Sequence, residues 1–567
     1  MSLLNKASLI QIPSGYKDGT LYSAKPTNGD GDFTFSRGSN LAATRVNSDG
    51  LIEKGRENLL LQSNQFDTTW SQSNVSVTSG QTGYDGSNDA WLLSISGGTS
   101  DQRIFQNIQY NGVSTLSVYA KKNDSNWLSL RIGSSVNKWY DLENGVLGGS
   151  TIVTAYIDAS IEDVGNGWYR CSLTFTDNFT TSTRIYPAEN DLDITHTSGS
   201  IYIQDAQTEV GLVATDYIET GASTAQAGIL EDMPRLDYSG GATCGSLLLE
   251  PQRSNILSHS EYLPIGMSFA RSTFTNNDAI SPEGLKNATK WQMTSDTGAH
   301  YLRKGFTTSD TYSVSVFAKK GNYRYLGLRS GSTLIGFDFD TETFVGGTGT
   351  KEAFGDGWWR LSVTATGSGF SYFGIHYSNS SGGEQTTADG TEYYHIYGMQ
   401  IELGSYPTSY IPTYGSGVTR SADDCTDAGN SSLFNDSEGV LFVEIAKLDI
   451  SATEGGVRLS KDTNNEIRLN FATSNRLNLF VNVGGSNQVY MDNSSYDLED
   501  YHKIAIKYKL NDYAVYVDGT KIHTDTSATV PTGLDELYFN TFYGKVKSVK
   551  VFNTALTDAE CIDLTTI

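Results

Sequence analysis

Gly165-Asn166-Gly167-Trp168-Tyr169-Arg170 decides how this chain is read, because it returns as Gly355-Asp356-Gly357-Trp358-Trp359-Arg360. Its neighbours return with it, in the same order. Ser117-Val118-Tyr119-Ala120-Lys121-Lys122 becomes Ser315-Val316-Phe317-Ala318-Lys319-Lys320, and Gln207-Thr208-Glu209-Val210-Gly211 becomes Gln400-Ile401-Glu402-Leu403-Gly404. Upstream, Arg56, Asn58, Leu60 and Ser63 match Arg253, Asn255, Leu257 and Ser260. Each landmark recurs about 190–198 residues downstream. A period of that length is the duplication of a whole domain, not a solenoid repeat.

Composition says what kind of domain was duplicated. The chain has 567 residues, with 58 Gly but only 10 Pro, and with 33 Tyr and 23 Phe, a mixture that favours β-sandwiches joined by tight turns. No stretch carries the apolar period of a long amphipathic helix. Residues 58–222 and 255–415 read as two copies of an antiparallel sandwich module. Their strands are short and alternating, as in 115–121, 127–132 and 168–175 of the first copy and 312–318, 325–328 and 358–363 of the second. Residues 223–254 form a hairpin linker around Asp237-Tyr238-Ser239-Gly240-Gly241.

Residues 416–567 differ from the repeats. His502-Lys503-Ile504-Ala505-Ile506-Lys507-Tyr508 alternates with period two, and Asp518-Gly519 joins Tyr513–Val517 to Lys521-Ile522-His523 as a hairpin. Thr557 with Glu560 three residues later forms a capping box for a short terminal helix. Residues 1–57 belong to neither copy. They hold short strands and an Asp49-Gly50 turn, too little to bury a core alone, so they are expected to pack on a neighbouring domain or a partner chain.

Three blocks resemble tailed-phage virion proteins of the tail-fibre or carbohydrate-binding kind. They are Phe33 to Glu53 with Ala43-Thr44-Arg45-Val46, Pro234-Arg235-Leu236-Asp237-Tyr238 with Leu247 to Asn255, and Thr419-Arg420-Ser421-Ala422-Asp423 to Glu560. The resemblance implies an all-β architecture: an N-terminal virion-attachment segment (1–57), two jelly-roll-type carbohydrate-binding-like modules (58–222 and 255–415) and a C-terminal laminin-G/concanavalin-like sandwich (416–567). It further implies other virion proteins as partners of the N-terminal segment, a host-surface glycan as ligand, a homotrimer as the assembled state and the virion as location.

Charge narrows the partners. A net charge of −24 argues against nucleic acid, which needs a basic face to displace counterions, and against anionic lipid. No apolar run is long enough for a membrane helix, and Met1-Ser2-Leu3-Leu4-Asn5-Lys6 lacks the apolar core of a signal peptide, so synthesis in the host cytoplasm without membrane insertion is expected. Four cysteines without a Cys-x-x-Cys pair read as free, mostly buried thiols.

The candidate binding residues are aromatic, because the C–H face of a sugar stacks on a ring. Trp139 and Tyr140 follow a polar turn and are the leading exposed platform, with Trp70 and Trp291 as further candidates. The repeated Trp168 and Trp358, together with Trp127 and Tyr325, read as core packing against the opposing sheet. Glu209 and Glu402 are copies of one residue, not a hydrolytic pair, and a Gln-x-Glu-x-Gly pattern suits anchoring of a loop. No cofactor is expected beyond structural calcium, for which Asp30, Asp32, Asp85 and Asp89 are the candidates. With neither a nucleophile elbow nor a phosphate-binding glycine loop, no enzyme is expected. The expected function is therefore a tail fibre or receptor-binding component adhering to host polysaccharide. The rivals are a structural head fibre, capsid decoration or tail accessory, and then a polysaccharide-degrading tail spike.

Overall fold

The computed structural model describes residues 3–567 apart from 14, 18, 39–40, 99–100 and 450–454, so Met1 and Ser2 of the leader reading lie outside the described residues. The chain is nearly all β, built from packed sheets, with a concanavalin-like sandwich at its C-terminal end. In module 1, the front sheet runs in the order Val146–Ile152, Val136–Asp141, Trp127–Ile132, Thr180–Ala188, Arg103–Gln109, Ser71–Ser73. The back sheet runs Tyr156–Gly165, Trp168–Asp177, Gly112–Lys122, Ser200–Val210, Ala90–Ile95, Val75–Gln81.

Module 2 repeats both sheets. Its front sheet is Thr343–Val345, Thr333–Asp338, Tyr325–Gly331, Gly369–Tyr377, Tyr301–Thr308, Ser268–Ala270, and its back sheet is Thr350–Ala353, Trp358–Thr366, Thr311–Lys320, Tyr393–Leu403, Ala288–Met293, Ser272–Ala279. Period-two patterning sorts the faces. Cys171, Leu173 and Phe175 of one strand enter the core of module 1, and Leu361 and Val363 enter that of module 2.

The motif that marks the duplication is a tight turn. Gly165, Asn166 and Gly167 have φ of 92°, 55° and 76°, and Gly355, Asp356 and Gly357 have φ of 72°, 46° and 76°. Three successive residues in the left-handed region favour glycine and asparagine or aspartate, which is why the motif survives in both copies. The arginine that follows straps the module's tail to its back sheet: Arg360 donates to the Thr408 carbonyl at 2.6 Å, and Arg170 to that of Thr215. Glu209 accepts from the backbone N–H of Thr215 at 2.8 Å, and Glu402 from that of Thr408 at 2.8 Å. The repeated carboxylates are thus spent on loop anchoring.

The C-terminal sandwich recruits strands from far away. Its nine-stranded sheet contains Tyr16–Lys17, Thr20–Leu21 and Phe33–Ser36, and its eight-stranded sheet contains Leu9–Gln11, Arg235–Asp237 and Ser246–Leu249. Leu9, Leu21, Phe33, Phe35, Leu247 and Leu249 are all buried in its core. The first 57 residues, too short to bury Leu9, Leu21, Phe33 and Phe35 alone, bury them within their own molecule. Their hairpin of Thr44–Val46 and Ile52–Lys54 covers the back sheet of module 2, where Ile52 packs with Phe317, Trp358, Tyr397 and Tyr410. The four cysteines are free, with Cys244 exposed and Cys171, Cys425 and Cys561 buried. The terminal helix Asp558–Thr565 starts on the expected capping box of Thr557 and Glu560.

Candidate functional site

Strand alternation leaves the outer face of each front sheet with its own side chains. In module 1 one cross-strand row is Phe105, Arg184, Arg131 and Asn137. The equivalent row in module 2 is Arg303, Gly374, Arg329 and Leu334. Beside these lie Tyr186, Ser129 and Trp139 in module 1, and Tyr301, His376, Gly327 and Gly336 in module 2. The C-terminal sandwich carries a row of the same composition, Tyr538, Arg458, Arg468, Phe480 and Tyr490, on the outer face of its nine-stranded sheet.

On each of these faces a guanidinium group lies over a ring, a favourable placement because the π face is electronegative. Arg103 sits 5.0 Å from the Phe105 centroid. Arg303 is held between two rings, 3.8 Å from Tyr301 and 3.7 Å from Tyr372. Arg468 lies 4.4 Å from Phe480, whose ring is 5.1 Å from that of Tyr490. The hydrogen bonds of Arg131 and Arg184 go to neutral groups. Arg131 Nε donates to the Gly133 carbonyl at 2.8 Å, and Arg184 Nε to Ser182 Oγ at 2.6 Å.

Module 2 adds a titratable relay. Burial pushes His376 below its usual pKa, so at pH 7 the ring is neutral, and its Nε2 accepts from Arg329 Nε at 3.2 Å. Arg329 also reaches Glu384 at 2.8 Å. Exposed Phe370 (64%) extends the aromatic surface of this sheet. A Cβ at Gly305 would come within 2.8 Å of the Phe370 ring and 2.9 Å of the Tyr372 ring, so glycine lets both rings lie over the strand.

The aromatic residues singled out from sequence lie elsewhere. Tyr140, Trp70 and Trp291 are buried in the module cores, with Tyr140 Oη donating to the Ser172 carbonyl at 2.7 Å. Trp139 is on the front face but only 1% exposed. The connection 189–197 covers it: Trp139 Nε1 donates to the Asp193 carbonyl at 3.3 Å, and Gly149 N to Asp191 Oδ1 at 2.7 Å. None of the four offers a free ring face, because each fills space beneath a strand or a loop. Trp168 and Trp358 are buried too, but on the outside of their back sheets: Trp168 packs beside Tyr84 and Tyr202, Trp358 beneath the hairpin carrying Ile52. Trp127 and Tyr325 are half-buried on the front sheets instead of in the cores.

The aspartates are engaged locally. Asp32 accepts from Ser23 N at 2.7 Å, Asp30 from the side chain of Asn28 at 2.8 Å, Asp85 from Ser87 N at 3.0 Å and Asp89 from Gln204 Nε2 at 2.7 Å. Among the described residues no group of three or more His, Cys, Asp or Glu is arranged to hold a metal ion. A cleft of about 540 Å³ separates the modules, lined by Asp158, Glu162, Arg170, Asn277, Asp278 and Lys286. It is a joint as well as a cavity, since Asn277 Nδ2 crosses it to Asp158 Oδ2 at 2.7 Å and to the Leu212 carbonyl at 3.2 Å.

With this geometry in view, residues 446–561 match a family model described as the concanavalin A-like lectin/glucanases superfamily. No curated protein matches the chain. Among solved structures, the chain is similar to the CBM40 of Ruminococcus gnavus IT-sialidase bound to α2,3 sialyllactose (15% identity, 24% of this chain and 86% of that one, TM-score 0.22). It is also similar to the tandem CBM22-1-CBM22-2 of Paenibacillus barcinonensis Xyn10C (13% identity, 65% and 100%, TM-score 0.21). A third likeness is to domains LG4-5 of the mouse laminin α1 chain (10% identity, 46% and 89%, TM-score 0.18). Among the described residues no helix is long and apolar enough to cross a membrane.

Proposed function

We propose that this protein is a multivalent glycan-binding adhesin of a tailed-phage virion, a tail fibre or receptor-binding component. The observation that carries glycan binding is the recurrence of an arginine and aromatic row on the outer face of a sheet in all three sandwiches. Rings offer stacking to the C–H faces of sugars, and guanidinium forks donate to sugar oxygens in fixed directions. The lectin-type family match over 446–561 is consistent with this chemistry. The virion assignment is supported by the resemblance of the N-terminal, linker and C-terminal blocks to tail-fibre proteins, and a homotrimer of that class would present nine such rows. Avidity then comes from many weak sites acting together.

We read the protein as non-catalytic. The carboxylates at the rows, Glu384 in module 2 and Glu466 and Asp492 in the C-terminal sandwich, are each ion-paired with arginine, an arrangement that suits positioning and not the proton transfers of glycoside hydrolysis. The test is binding of the full chain to host cells and to their extracted surface polysaccharide. Saturable binding that free polysaccharide competes away, with no fall in polymer viscosity, is the expected result. Absence of binding by folded protein would leave the structural role of a head fibre or decoration protein. A fall in viscosity would revive the depolymerase.

A further inference from the structure

The arginines in these rows are placed at a cost. Arg131 and Arg184 stand directly opposite each other on adjacent strands; Arg458 and Arg468 face each other in the same way, but with Glu466 shared between them. Like charges facing each other across a ladder repel, since their Cβ atoms lie about 4.5–5.5 Å apart. In module 2 the same row spaces Arg303 and Arg329 on either side of Gly374. This chain has 64 acidic and 40 basic residues, so carboxylates to neutralise an arginine are plentiful. Arg37, Arg56, Arg235, Arg324, Arg420 and Arg476 each have one. Among the described residues Arg131, Arg184 and Arg303 have no carboxylate within ion-pair distance, and the Nε of Arg303 is buried without a hydrogen-bond partner. Arg131, Arg184 and Arg303 thus stand as cations without a carboxylate on the front sheets of the two modules, in a chain of net charge −24.

We propose that the front sheets of the two modules select an anionic polysaccharide, whose carboxylate or sulfate groups bridge the facing Arg131 and Arg184 and reach Arg303 while its sugar rings stack on Phe105, Tyr301 and Tyr372. This deepens the glycan-binding reading and rests on it. An oxyanion between two guanidinium groups converts their repulsion into two charge-assisted hydrogen-bonding contacts, the strongest class available to a polar ligand. A neutral sugar would satisfy the donors but leave the repulsion in place. The overall charge of −24 opposes the long-range approach of such a polymer, so recognition depends on these local sites and is short-ranged at physiological salt, where the screening length is about 8 Å.

The test uses the full chain and two matched pairs of probes: polygalacturonate against its fully methyl-esterified form, and dextran sulfate against dextran. Oligo(dT) serves as a non-glycan polyanion. Binding of an acidic member about tenfold or more tighter than its neutral partner is expected, weakening as salt is raised. Which pair shows the difference separates carboxylate from sulfate recognition. Arg184→Gln and Arg131→Gln should each weaken that binding about tenfold while leaving the melting temperature unchanged or higher, because each removes a like-charge contact. Equal binding of charged and neutral members would overturn the charge proposal and leave glycan binding standing. Failure of all four polysaccharides while the extracted host polysaccharide binds would overturn the charge proposal alone, and failure of the host polysaccharide as well would overturn both. Tighter binding of oligo(dT) than of any polysaccharide would replace the ligand class by single-stranded nucleic acid. A clear loss of melting temperature in either arginine variant would show a structural role and sink the proposal.

Discussion

At the scale of single residues, the side chains that fix this molecule are buried charges. Arg235, fully buried, donates to Glu250 Oε2 at 2.6 Å, to Ser409 Oγ at 2.7 Å and to Asp423. Glu250 also takes Arg420 at 2.7 Å and the backbone N–H of Ser409 at 2.7 Å. Burial works against the Glu250 charge, but Arg420 and Arg235 outweigh it and hold the carboxyl well below the usual range. Glu250→Gln leaves the cations short of a partner and should cost about 3–5 kcal/mol at pH 7, read by denaturant unfolding. The pH dependence has a definite sign. A depressed carboxyl stabilises the fold fully above its unfolded pKa of about 4.3 and loses that contribution as pH falls below it. The gap between variant and parent should therefore be complete at neutral pH and narrow in acid. A gap that stays constant from pH 7 to pH 3 would contradict the ion-network account.

At the scale of elements, alternation told the strands apart from the turns, and it also held the key to the site. Arg103-x-Phe105, Tyr301-x-Arg303 and Phe370-x-Tyr372 occupy the strand positions opposite in parity to the core residues Ile104, Leu302 and Phe373. Asking which side chains share the non-core parity would have pointed to them. The aromatic candidates Trp70, Tyr140 and Trp291 fall in the cores instead, because bulk and aromaticity are equally at home there. The cover that 189–197 lays over Trp139 was not legible, since loops follow tertiary contacts and not periodicity. Pairing partners were also hidden. Phe33-Thr34-Phe35-Ser36 alternates buried and exposed as its sequence suggests, but nothing local says that Phe35 pairs with Cys425 or that Phe33 packs 5.6 Å from Phe539. This strand supplies the prediction at its scale. Phe35→Ala should cost about 3–5 kcal/mol, and hydrogen exchange should show the loss in the C-terminal sandwich while module 1 keeps its protection. Loss of protection spread evenly over module 1 as well would mean that the strand is not local to that core.

At the scale of the whole molecule, the duplication predicted a string of sandwiches, and the structure ties the string into a loop. The chain begins inside the C-terminal sandwich, leaves it to build module 1, returns through Arg235–Asp237 and Ser246–Leu249, leaves again for module 2 and comes back to finish. Repeats betray duplication in a sequence, but order along the chain is silent about closure, because strand pairing between distant segments leaves no periodic trace. The mechanical consequence of this closure can be tested directly. A protease site placed at Gly221-Ala222-Ser223, in an exposed connection, cuts the chain without cutting a strand. A beaded string would then release residues 1–221 as a free module. Here Leu9, Leu21, Phe33 and Phe35 remain buried in the other fragment's core, and Lys54 and Arg56 remain paired with Glu283 of module 2, Lys54 at 2.8 Å. The cleaved protein should show two bands under denaturing electrophoresis but elute as one intact particle under native conditions, separating only near the unfolding transition of the C-terminal sandwich. Release of the N-terminal fragment in native buffer would show that those early strands are dispensable to the fold, and with them the closed path of the chain.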